Sequence, residues 1–282
     1  MRSGKRWILG GALLLAALLT VVGLAGCGNS STTSDQNLTG KVSLSGSTTV
    51  LPPASEAASQ FMDIHPGVQV SVQGGGSSVG ITQLSQGLVD IGMSSRELKS
   101  EGQNQGFLDH KIALDVIVVV ANPGMTVDDL TKDQVKGIFT GQLTNWKDVG
   151  GADAPITVVV RDKASGTREM FDEKALDSQD STTAAIEANS NGIVRQTVAS
   201  TRNAIGYISL GYLDGTVKAL KYNSVEGSKD TALAKTYPLS RFLHMFTKGE
   251  PQGVVGVFID FVLSERFQND VVAREYIPAT EL

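Results

Sequence analysis

Short apolar runs typical of strands alternate along this chain with stretches that have the apolar spacing of helices. The alternation begins near residue 42 and continues to about residue 264. It favours an α/β fold, because the apolar faces of strands in such a sheet need helices to cover them. The longest run, 112–120, is mostly β-branched and predicts a buried strand or one that crosses between two lobes. Strands are predicted at 42–45, 68–72, 89–93, 112–120, 156–160, 204–210 and 242–246, and helices at 53–62, 81–88, 167–176 and 253–264.

The first 26 residues have a different pattern, which is typical of an export signal. Arg2, Lys5 and Arg6 precede an uncharged, mostly apolar run at 8–26. A basic flank followed by a short apolar core is what signal peptidases read. A single transmembrane anchor is the alternative, since about 19 apolar residues just span a bilayer.

The apolar run ends in Leu-Ala-Gly before Cys27, and this ending resembles the lipobox of bacterial lipoproteins. The resemblance implies that Cys27 is diacylated, with palmitate as one acyl chain, and becomes the first residue of a protein anchored to the outer side of the cell membrane. Residues 27–39 are small and polar and predict a flexible tether. Because Cys27 is the only cysteine, no intrachain disulfide can form and the core alone must hold the fold.

The charge of the remaining chain excludes one class of partner. The leader carries three of the 24 basic residues and none of the 29 acidic ones, so residues 27–282 have a net charge of −8. Nucleic-acid binding requires a basic field and is therefore not expected. An acidic protein can still bind an anion where local donors overcome the overall repulsion. The length suits one large domain or two lobes of roughly 100–150 residues each.

Three predicted strand-to-helix loops share an unusual chemistry. They are Gly-Ser-Thr-Thr-Val at 46–50, Gly-Gly-Gly-Ser-Ser-Val-Gly at 74–80 and Arg-Asp-Lys-Ala-Ser-Gly-Thr-Arg at 161–168. A helix start leaves backbone N–H groups unpaired and carries a partial positive charge. Glycine allows close approach of the backbone, and hydroxyls add donors without charge. Such loops can bond every oxygen of a dehydrated oxyanion, with Arg161 as the bidentate partner.

Each loop taken alone has an ordinary explanation as a helix cap or a glycine-rich turn. Three such loops on one α/β chain favour a ligand site, because ligands bind at the carboxyl ends of the strands in open α/β sheets. Nucleotide motifs are not matched. No Gly-x-x-x-x-Gly-Lys-Ser/Thr is present, and 74–80 misses Gly-x-Gly-x-x-Gly by one residue.

These motifs, taken together, resemble the phosphate-binding proteins of phosphate-specific ABC transporters. The resemblance runs from about residue 40 to residue 267. It also rests on Asp-Ile-Gly-Met-Ser-Ser-Arg at 90–96, Ile-Phe-Thr-Gly-Gln-Leu-Thr-Asn-Trp-Lys at 138–147 and Ala-Ile-Gly-Tyr at 204–207. It implies a two-lobe periplasmic-binding-protein-like fold of type II, with hinge-crossing strands and a ligand cleft between the lobes. Lobe 1 is expected at 40–116, lobe 2 at 117–212, and the return crossing with the rest of lobe 1 at 213–282.

The resemblance also implies a function and a site. The protein is expected to be a monomer that captures inorganic phosphate and delivers it to the permease subunits of an ABC importer with a cytoplasmic ATPase, without any cofactor, metal or catalytic residue. The ligand residues implied are Thr48, Thr49, Ser77, Ser95, Arg161, Ser165, Gly166 and Thr167.

One position departs from the pattern of some family members, which have an aspartate where Ser95 stands. A carboxylate there accepts the proton of HPO₄²⁻ and repels sulfate, whereas Ser95 penalises sulfate less. Asp162 or another carboxylate at the cleft is an alternative acceptor. Arg96 is expected to form a salt bridge or to face solvent, and the alternative is that it adds a second positive charge to the site.

Three alternatives to phosphate binding stay open on the sequence: another tetrahedral oxyanion such as sulfate or molybdate, a secreted phosphatase, and an adhesin or sensor with a vestigial pocket. The phosphatase is disfavoured because Ser165 lacks a Gly-x-Ser-x-Gly frame. His65, His110 and His244 show no metal-ligand spacing and are expected at the surface or in the core. Trp146 is expected to pack beneath a turn.

Overall fold

A computed structural model describes residues 38–98 and 105–282 of the chain. The predicted export signal, the lipidation site Cys27 and nearly all of the predicted tether lie outside the described residues. The strands are β1 Thr39–Gly46, β2 Gly67–Gln73, β3 Ile91–Ser94, β4 Phe107–Ala121, β5 Asp129–Leu130, β6 Thr157–Arg161, β7 Ile186–Ala188, β8 Ala204–Ser209, β9 Lys218–Ala219, β10 Lys221–Tyr222, β11 Ser240–Lys248 and β12 Ile277–Pro278. The helices are α1 Leu51–Ile64, α2 Ser77–Ser85, α3 Lys132–Phe139, α4 Gly166–Ala175, α5 Asn191–Ser200, α6 Lys229–Leu233, α7 Gly253–Leu263, α8 Glu265–Phe267 and α9 Ala273–Glu275, with a π-helical turn at Gln268–Val272 and 3₁₀ turns at Trp146–Val149, Leu210–Tyr212 and Ala279–Glu281.

The sheet is mixed, and its parallel strands end at the ligand loops predicted above. β1 pairs in parallel with β2 and with β3, so the carboxyl ends of all three lie at one edge. β6 pairs in parallel with β7 and with β8 in the same way. The α/β class expected from the alternating sequence pattern is confirmed.

Two antiparallel strands, β4 and β11, join the two halves of the sheet. Residues 107–116 of β4 pair with β11, whereas residues 117–121 pair with β8. β11 also pairs with β3. The prediction that the β-branched run at 112–120 forms a buried, crossing strand is therefore confirmed, since this single strand passes from one half to the other.

Each half of the sheet has its own apolar core. The first core includes Phe61 of α1 and Phe258 of α7, whose rings meet edge to face at 5.2 Å. The second includes Phe139, Phe171 and Tyr207, and the last two rings stack with their centroids 3.9 Å apart. Residues from Val217 to Leu239 also pack in this second core. We therefore propose that lobe 2 continues to about residue 239, past the expected boundary at 212, and that the return crossing is β11.

The start of α2 differs from the prediction for a physical reason. The sequence pattern predicts a helix at 81–88, but the helix begins at Ser77 directly after the glycine run and ends at Ser85. Gly87 has a φ of +69°, a left-handed conformation that terminates helices. The polar first turn has no apolar periodicity, so the spacing of apolar residues did not reveal it.

Two helices missed by the sequence analysis begin with clear caps. The Thr131 side chain accepts from the Gln134 amide at 3.2 Å, and the Gln134 side chain accepts from the Thr131 amide at 2.9 Å, which is a capping box that starts α3. Ser190 caps α5 by accepting from the Ile193 amide at 3.1 Å. Within the described ranges, no helix has both the length and the apolar character needed to cross a membrane.

We expect Phe171→Ala to lower the free energy of unfolding by about 3–5 kcal/mol, because truncating a buried aromatic ring leaves a cavity. Phe171 is fully buried and contacts both Phe139 and Tyr207. Urea unfolding followed by circular dichroism measures the change. Leu88→Ala is the control, since Leu88 is 66% exposed and its truncation should change stability by less than about 0.5 kcal/mol. Equal effects of the two substitutions would contradict the assigned core.

Candidate anion-binding site

The three predicted loops all open helices of nine residues or more. Val50 precedes α1, Gly76 precedes α2 and Ser165 precedes α4. Only Ser165 acts as a side-chain cap, since its hydroxyl accepts from the Arg168 amide at 3.2 Å. Neither α1 nor α2 has a side-chain cap. The capping explanation considered for each loop therefore applies to Ser165 and not to the other two loops.

In lobe 1 the second loop meets the end of β3. The Ser77 hydroxyl accepts from the Ser95 amide at 3.0 Å, and the two hydroxyl oxygens are 3.3 Å apart. Both side chains are buried. The loop and the strand end thus present two neighbouring hydroxyls inside the protein.

The third loop, from lobe 2, lies directly against these lobe 1 residues. A Cβ placed on Gly166 would collide with the Ser77 hydroxyl and would lie 2.9 Å from the Ser95 hydroxyl. The Thr49 and Thr167 hydroxyl oxygens are 3.2 Å apart. Only glycine can bring the backbone of α4 this close.

The first loop also contacts lobe 2 through its other threonine. The Thr48 hydroxyl is 3.4 Å from the Asn191 side-chain nitrogen, and the Thr48 carbonyl accepts from the Tyr212 hydroxyl at 2.6 Å. Tyr276 donates to the Thr49 carbonyl at 3.0 Å. These contacts hold the backbone of the first loop in place on both sides.

Arg161 lies at the end of β6 and is only 1% exposed. Its Nε donates to the Ala188 carbonyl at 3.2 Å and Nη2 to the Asn189 carbonyl at 3.1 Å. Burial lowers the pKa of Arg161, while the Asp162 carboxylate, 3.8 Å away, opposes the shift. Two backbone carbonyls thus orient a desolvated guanidinium beside the third loop.

All the predicted ligand residues therefore lie at the facing ends of the two lobes. Direct contacts join Thr49 to Thr167 and Ser77 to both Ser95 and Gly166, and Ser165 precedes Gly166 in the chain. Thr48 joins the group through Asn191. The Arg161 guanidinium stands apart from these hydroxyl contacts and donates to the backbone carbonyls of Ala188 and Asn189.

The sequence analysis missed a buried ion pair at the centre of this site. Asp115 of β4 and Arg241 of β11 are direct partners across the two crossing strands, with Arg241 Nη2 2.9 Å from Asp115 Oδ2. Both side chains are almost completely buried. Burial raises the pKa of Asp115 and lowers that of Arg241, and each charge opposes the shift of the other.

A signal for this pair was present in the sequence. Asp115 interrupts an apolar, β-branched run, and Arg241 directly precedes the predicted strand at 242–246. A charge inside a buried strand requires a partner, because an unpaired buried charge is costly. The strand pairing that makes Arg241 this partner is long-range, so the sequence alone does not identify it.

Two further polar residues of the site were also missed. The Asn191 side-chain nitrogen lies 2.9 Å from the Thr49 hydroxyl, while its oxygen accepts from the Ser209 amide at 3.2 Å. The Ser209 hydroxyl donates to Asp115 Oδ1 at 2.6 Å. Ser190-Asn191 opens a helix after β7, and this is the same strand-to-helix pattern that identified the other three loops.

The remaining charged groups near the cleft have partners of their own. Arg96 forms the expected salt bridge, with Nε 2.9 Å from the Glu169 carboxylate, and is buried instead of facing solvent. Because Glu169 belongs to α4, this pair links the two lobes. Asp162 accepts from the Ala164 amide at 2.8 Å, so its carboxylate is already engaged within the third loop.

The histidines and Trp146 lie away from the loops. Trp146 is buried and donates from its indole N–H to the Asn203 carbonyl at 2.9 Å, in agreement with the packing role expected for it. His65 packs against Phe61, and His110 Nε2 lies 2.9 Å from the Thr247 hydroxyl. Buried His244 has Nδ1 2.7 Å from Asp109 and Nε2 3.7 Å from Glu97, a grouping that the sequence spacing did not reveal.

The arrangement suits a small anion. Hydroxyls and helix starts supply donors without net charge, and Arg161 and Arg241 are each accompanied by an aspartate. The donors come from both lobes, and the lobes are joined by crossing strands. This architecture defines a two-lobe solute-binding protein with its ligand cleft between the lobes.

Comparisons with known proteins identify the family. Residues 30–266 match the PBP superfamily domain. The phosphate-binding protein PstS of Bacillus subtilis is 36% identical over 283 residues, a match that covers 96% of this chain and 93% of that protein. The chain belongs to the PstS family of phosphate-binding proteins within this superfamily.

Solved structures agree with this assignment. A phosphate ABC transporter substrate-binding protein from Clostridium perfringens, crystallised with bound phosphate, is 39% identical, with a TM-score of 0.82 over 85% of this chain and 100% of that one. An ABC-type phosphate transport receptor from Vibrio cholerae is 34% identical, with a TM-score of 0.72 over 84% of this chain and 99% of that one. The two-lobe fold and the family expected from the sequence motifs are confirmed.

We expect Gly166→Ala to force the two lobes apart, because the added methyl group has no space beside Ser77 and Ser95. The Ser78 amide reports this, since it donates to the Ala164 carbonyl of the other lobe at 3.1 Å and lies in the first turn of α2, where it has no partner in its own helix. Amide hydrogen exchange at Ser78 should become faster.

Gly192→Ala is the matched control for this substitution. Gly192 also lies in the first turn of a helix that faces the cleft, but a Cβ there would come no closer than 3.8 Å to another side chain. Exchange at Ser78 should be unchanged in this variant. Unchanged exchange in Gly166→Ala would show that the lobes do not depend on this close approach.

Proposed function

We propose that this protein binds inorganic phosphate in the cleft between its two lobes and delivers it to the permease of an ABC importer that is powered by a cytoplasmic ATPase. The observation that carries the proposal is the meeting of hydroxyls from both lobes at the start of α4, where Gly166 lies against Ser77 and Ser95 and the Thr167 hydroxyl oxygen is 3.2 Å from that of Thr49. The family relatives named as phosphate-binding proteins support the choice of ligand.

The proposed ligand residues are Thr48, Thr49, Ser77, Ser95, Arg161, Ser165, Gly166 and Thr167. A site of this kind binds a dehydrated anion because the donors are fixed before the ligand arrives. Charge-assisted hydrogen bonds contribute ~1.5–3 kcal/mol each before the costs of binding. A surplus of about 8 kcal/mol corresponds to a Kd of about 1 μM, which is sufficient for scavenging phosphate.

A binding role is favoured over catalysis by the state of the candidate nucleophile. The Ser165 hydroxyl accepts from the Arg168 amide and starts α4, so it serves the helix. The relatives are named as binding proteins and transport receptors, and we propose that this chain is likewise not an enzyme. Turnover of a chromogenic phosphate ester by the purified protein would contradict this.

Selectivity against sulfate is proposed to be weaker than in relatives with an aspartate at the position of Ser95. The Ser95 hydroxyl can accept the proton of HPO₄²⁻, but it carries no charge to repel sulfate. Competition of sulfate and molybdate with phosphate at several pH values tests this, because only phosphate changes its protonation near neutral pH. Tighter binding of sulfate or molybdate than of phosphate would favour the alternative ligands.

Membrane attachment is proposed to occur through lipid on Cys27, outside the cytoplasm, with the folded body acting as a monomer. The proposed tether starts at residue 28 and ends before β1, which begins at Thr39. The Leu-Ala-Gly-Cys ending carries this proposal. Cys27→Ser should prevent acylation, so that the protein moves from the membrane fraction to the soluble fraction or retains its leader. Radiolabelled palmitate and fractionation distinguish these results, and labelling of the Cys27→Ser protein would place the lipid elsewhere.

We expect Arg161→Ala to weaken phosphate binding by at least about 100-fold, because it removes charge-assisted hydrogen bonds from a desolvated site. Isothermal titration calorimetry measures the affinity, and circular dichroism checks that the fold is retained. Arg266→Ala is the control, since it removes the same charge from a side chain that is 89% exposed. Unchanged affinity in Arg161→Ala would contradict the assigned role of this residue.

A further inference from the structure

The Asp115–Arg241 pair has a property beyond charge balance, because one nitrogen of Arg241 contacts both lobes. Arg241 Nη2 lies 3.2 Å from the Thr49 hydroxyl of the first loop and 2.9 Å from the Thr167 hydroxyl of the third loop. The same nitrogen donates to Asp115 Oδ2. A residue of the return crossing strand therefore connects the two threonines that meet across the cleft.

The direction of these hydrogen bonds follows from the groups involved. Guanidinium nitrogens only donate, so both threonine oxygens accept from Arg241. Nη2 carries two hydrogens, and because Asp115 Oδ2 takes one of them, the two threonine oxygens share the other. The Asn191 side-chain nitrogen also donates to the Thr49 oxygen, at 2.9 Å. The orientation of this amide is defined by its other end, since its oxygen accepts from the Ser209 amide.

The lone pairs of Thr49 and Thr167 that stay free then limit the directions in which their hydroxyl hydrogens can point. Each hydroxyl oxygen has two lone pairs. Asn191 occupies one lone pair of Thr49, and the shared Nη2 hydrogen of Arg241 lies against the other lone pair of Thr49 and against one lone pair of Thr167. The single remaining lone pair, on Thr167, can accept the hydrogen of Thr49. At least one of the two hydroxyl hydrogens is then left to donate to a third group.

We propose that Arg241, held by Asp115, keeps the Thr49 and Thr167 hydroxyls as hydrogen-bond donors toward the bound oxyanion and is thus a positioning residue for ligand binding. The inference rests on the proposed function. It extends that function to two residues on the crossing strands that lie outside the three loops. An ionised oxygen of phosphate accepts the available hydrogen, whereas the Ser77–Ser95 pair retains the capacity to accept the phosphate proton.

A second observation points to the same role. Arg241 Nη1 is buried and has no hydrogen-bond partner among the described residues. Buried donors are nearly always paired, because leaving one unpaired costs free energy. This nitrogen belongs to the same guanidinium plane as Nη2, which makes it a candidate donor to an anion oxygen bound by the two threonines.

A double-mutant cycle tests the inference, because a purely structural role predicts independent effects. Arg241→Lys keeps the charge but loses the planar guanidinium, whose Nε and Nη2 hold Asp115 while Nη2 also reaches the two hydroxyls. Thr167→Val removes one of those hydroxyls. We expect each substitution to raise the phosphate Kd about 10–100-fold. The double variant should have about the same Kd as whichever single variant binds phosphate more weakly. Multiplied effects in the double variant would overturn the proposal.

A matched control separates positioning from stability. Asp109 and His244 form another side-chain pair on the same two strands, with 2.7 Å between their partner atoms. His244 is buried, the Asp109 side chain is 31% exposed, and His244 Nε2 faces Glu97 at 3.7 Å. Asp109→Asn/His244→Gln should lower the melting temperature yet leave the phosphate Kd within about twofold. A loss of affinity in this control equal to that of Arg241→Lys would overturn the proposal.

If a single variant fails to fold, a paired substitution still tests the proposal. Asp115→Asn/Arg241→Gln removes both charges together, which avoids leaving one buried charge unpaired. A folded double variant with unchanged phosphate affinity would overturn the inference, and one with at least about 10-fold weaker affinity supports it. Failure of the unsubstituted protein to bind phosphate would contradict the proposed function itself, and this inference with it.

Discussion

The buried ion pair between Asp115 and Arg241 is the interaction on which the rest of the site depends. Removing two charges from water costs several kcal/mol for each ion, and their attraction repays this only if their other donors and acceptors are also bonded. Here Ser209 bonds the carboxylate, and Thr49 and Thr167 bond the guanidinium. The pairing that buries the charges therefore also involves the Thr49 and Thr167 hydroxyls, which we propose as ligand groups.

This arrangement explains how an acidic chain can present an anion site. The net charge of −8 repels anions at long range, but the pocket contains neutral donors and two arginines that are each balanced by an aspartate. Binding then depends on short-range hydrogen bonds whose geometry is set in advance, and little on the overall field. Further direct contacts join the two lobes. Arg96 forms a salt bridge with Glu169, and the Ser78 amide donates to the Ala164 carbonyl.

Much of the fold and of the candidate site could be predicted because the signals are local. Apolar periodicity placed β1, α1 and β4, and the hydroxyl-rich loops identified Thr49, Ser77 and Thr167 before their contacts were known. The capped helices α3 and α5 and the short strands of lobe 2 were missed. Their apolar spacing is weak, and the residue types that cap helices are also common in turns. The extension of the second core to Leu239 was missed for a related reason, since core membership depends on contacts between distant residues.

The sequence by itself determined the α/β class, the order of the elements and the hydroxyl-bearing loops, because these depend on neighbouring residues and on their spacing. The tertiary structure alone decided which charges pair and which hydroxyls meet. Asp115 and Arg241 are 126 residues apart and become partners only through the register of β4 and β11. Thr49 and Thr167 face each other only because two crossing strands bring the lobes together, and no local pattern encodes that distance.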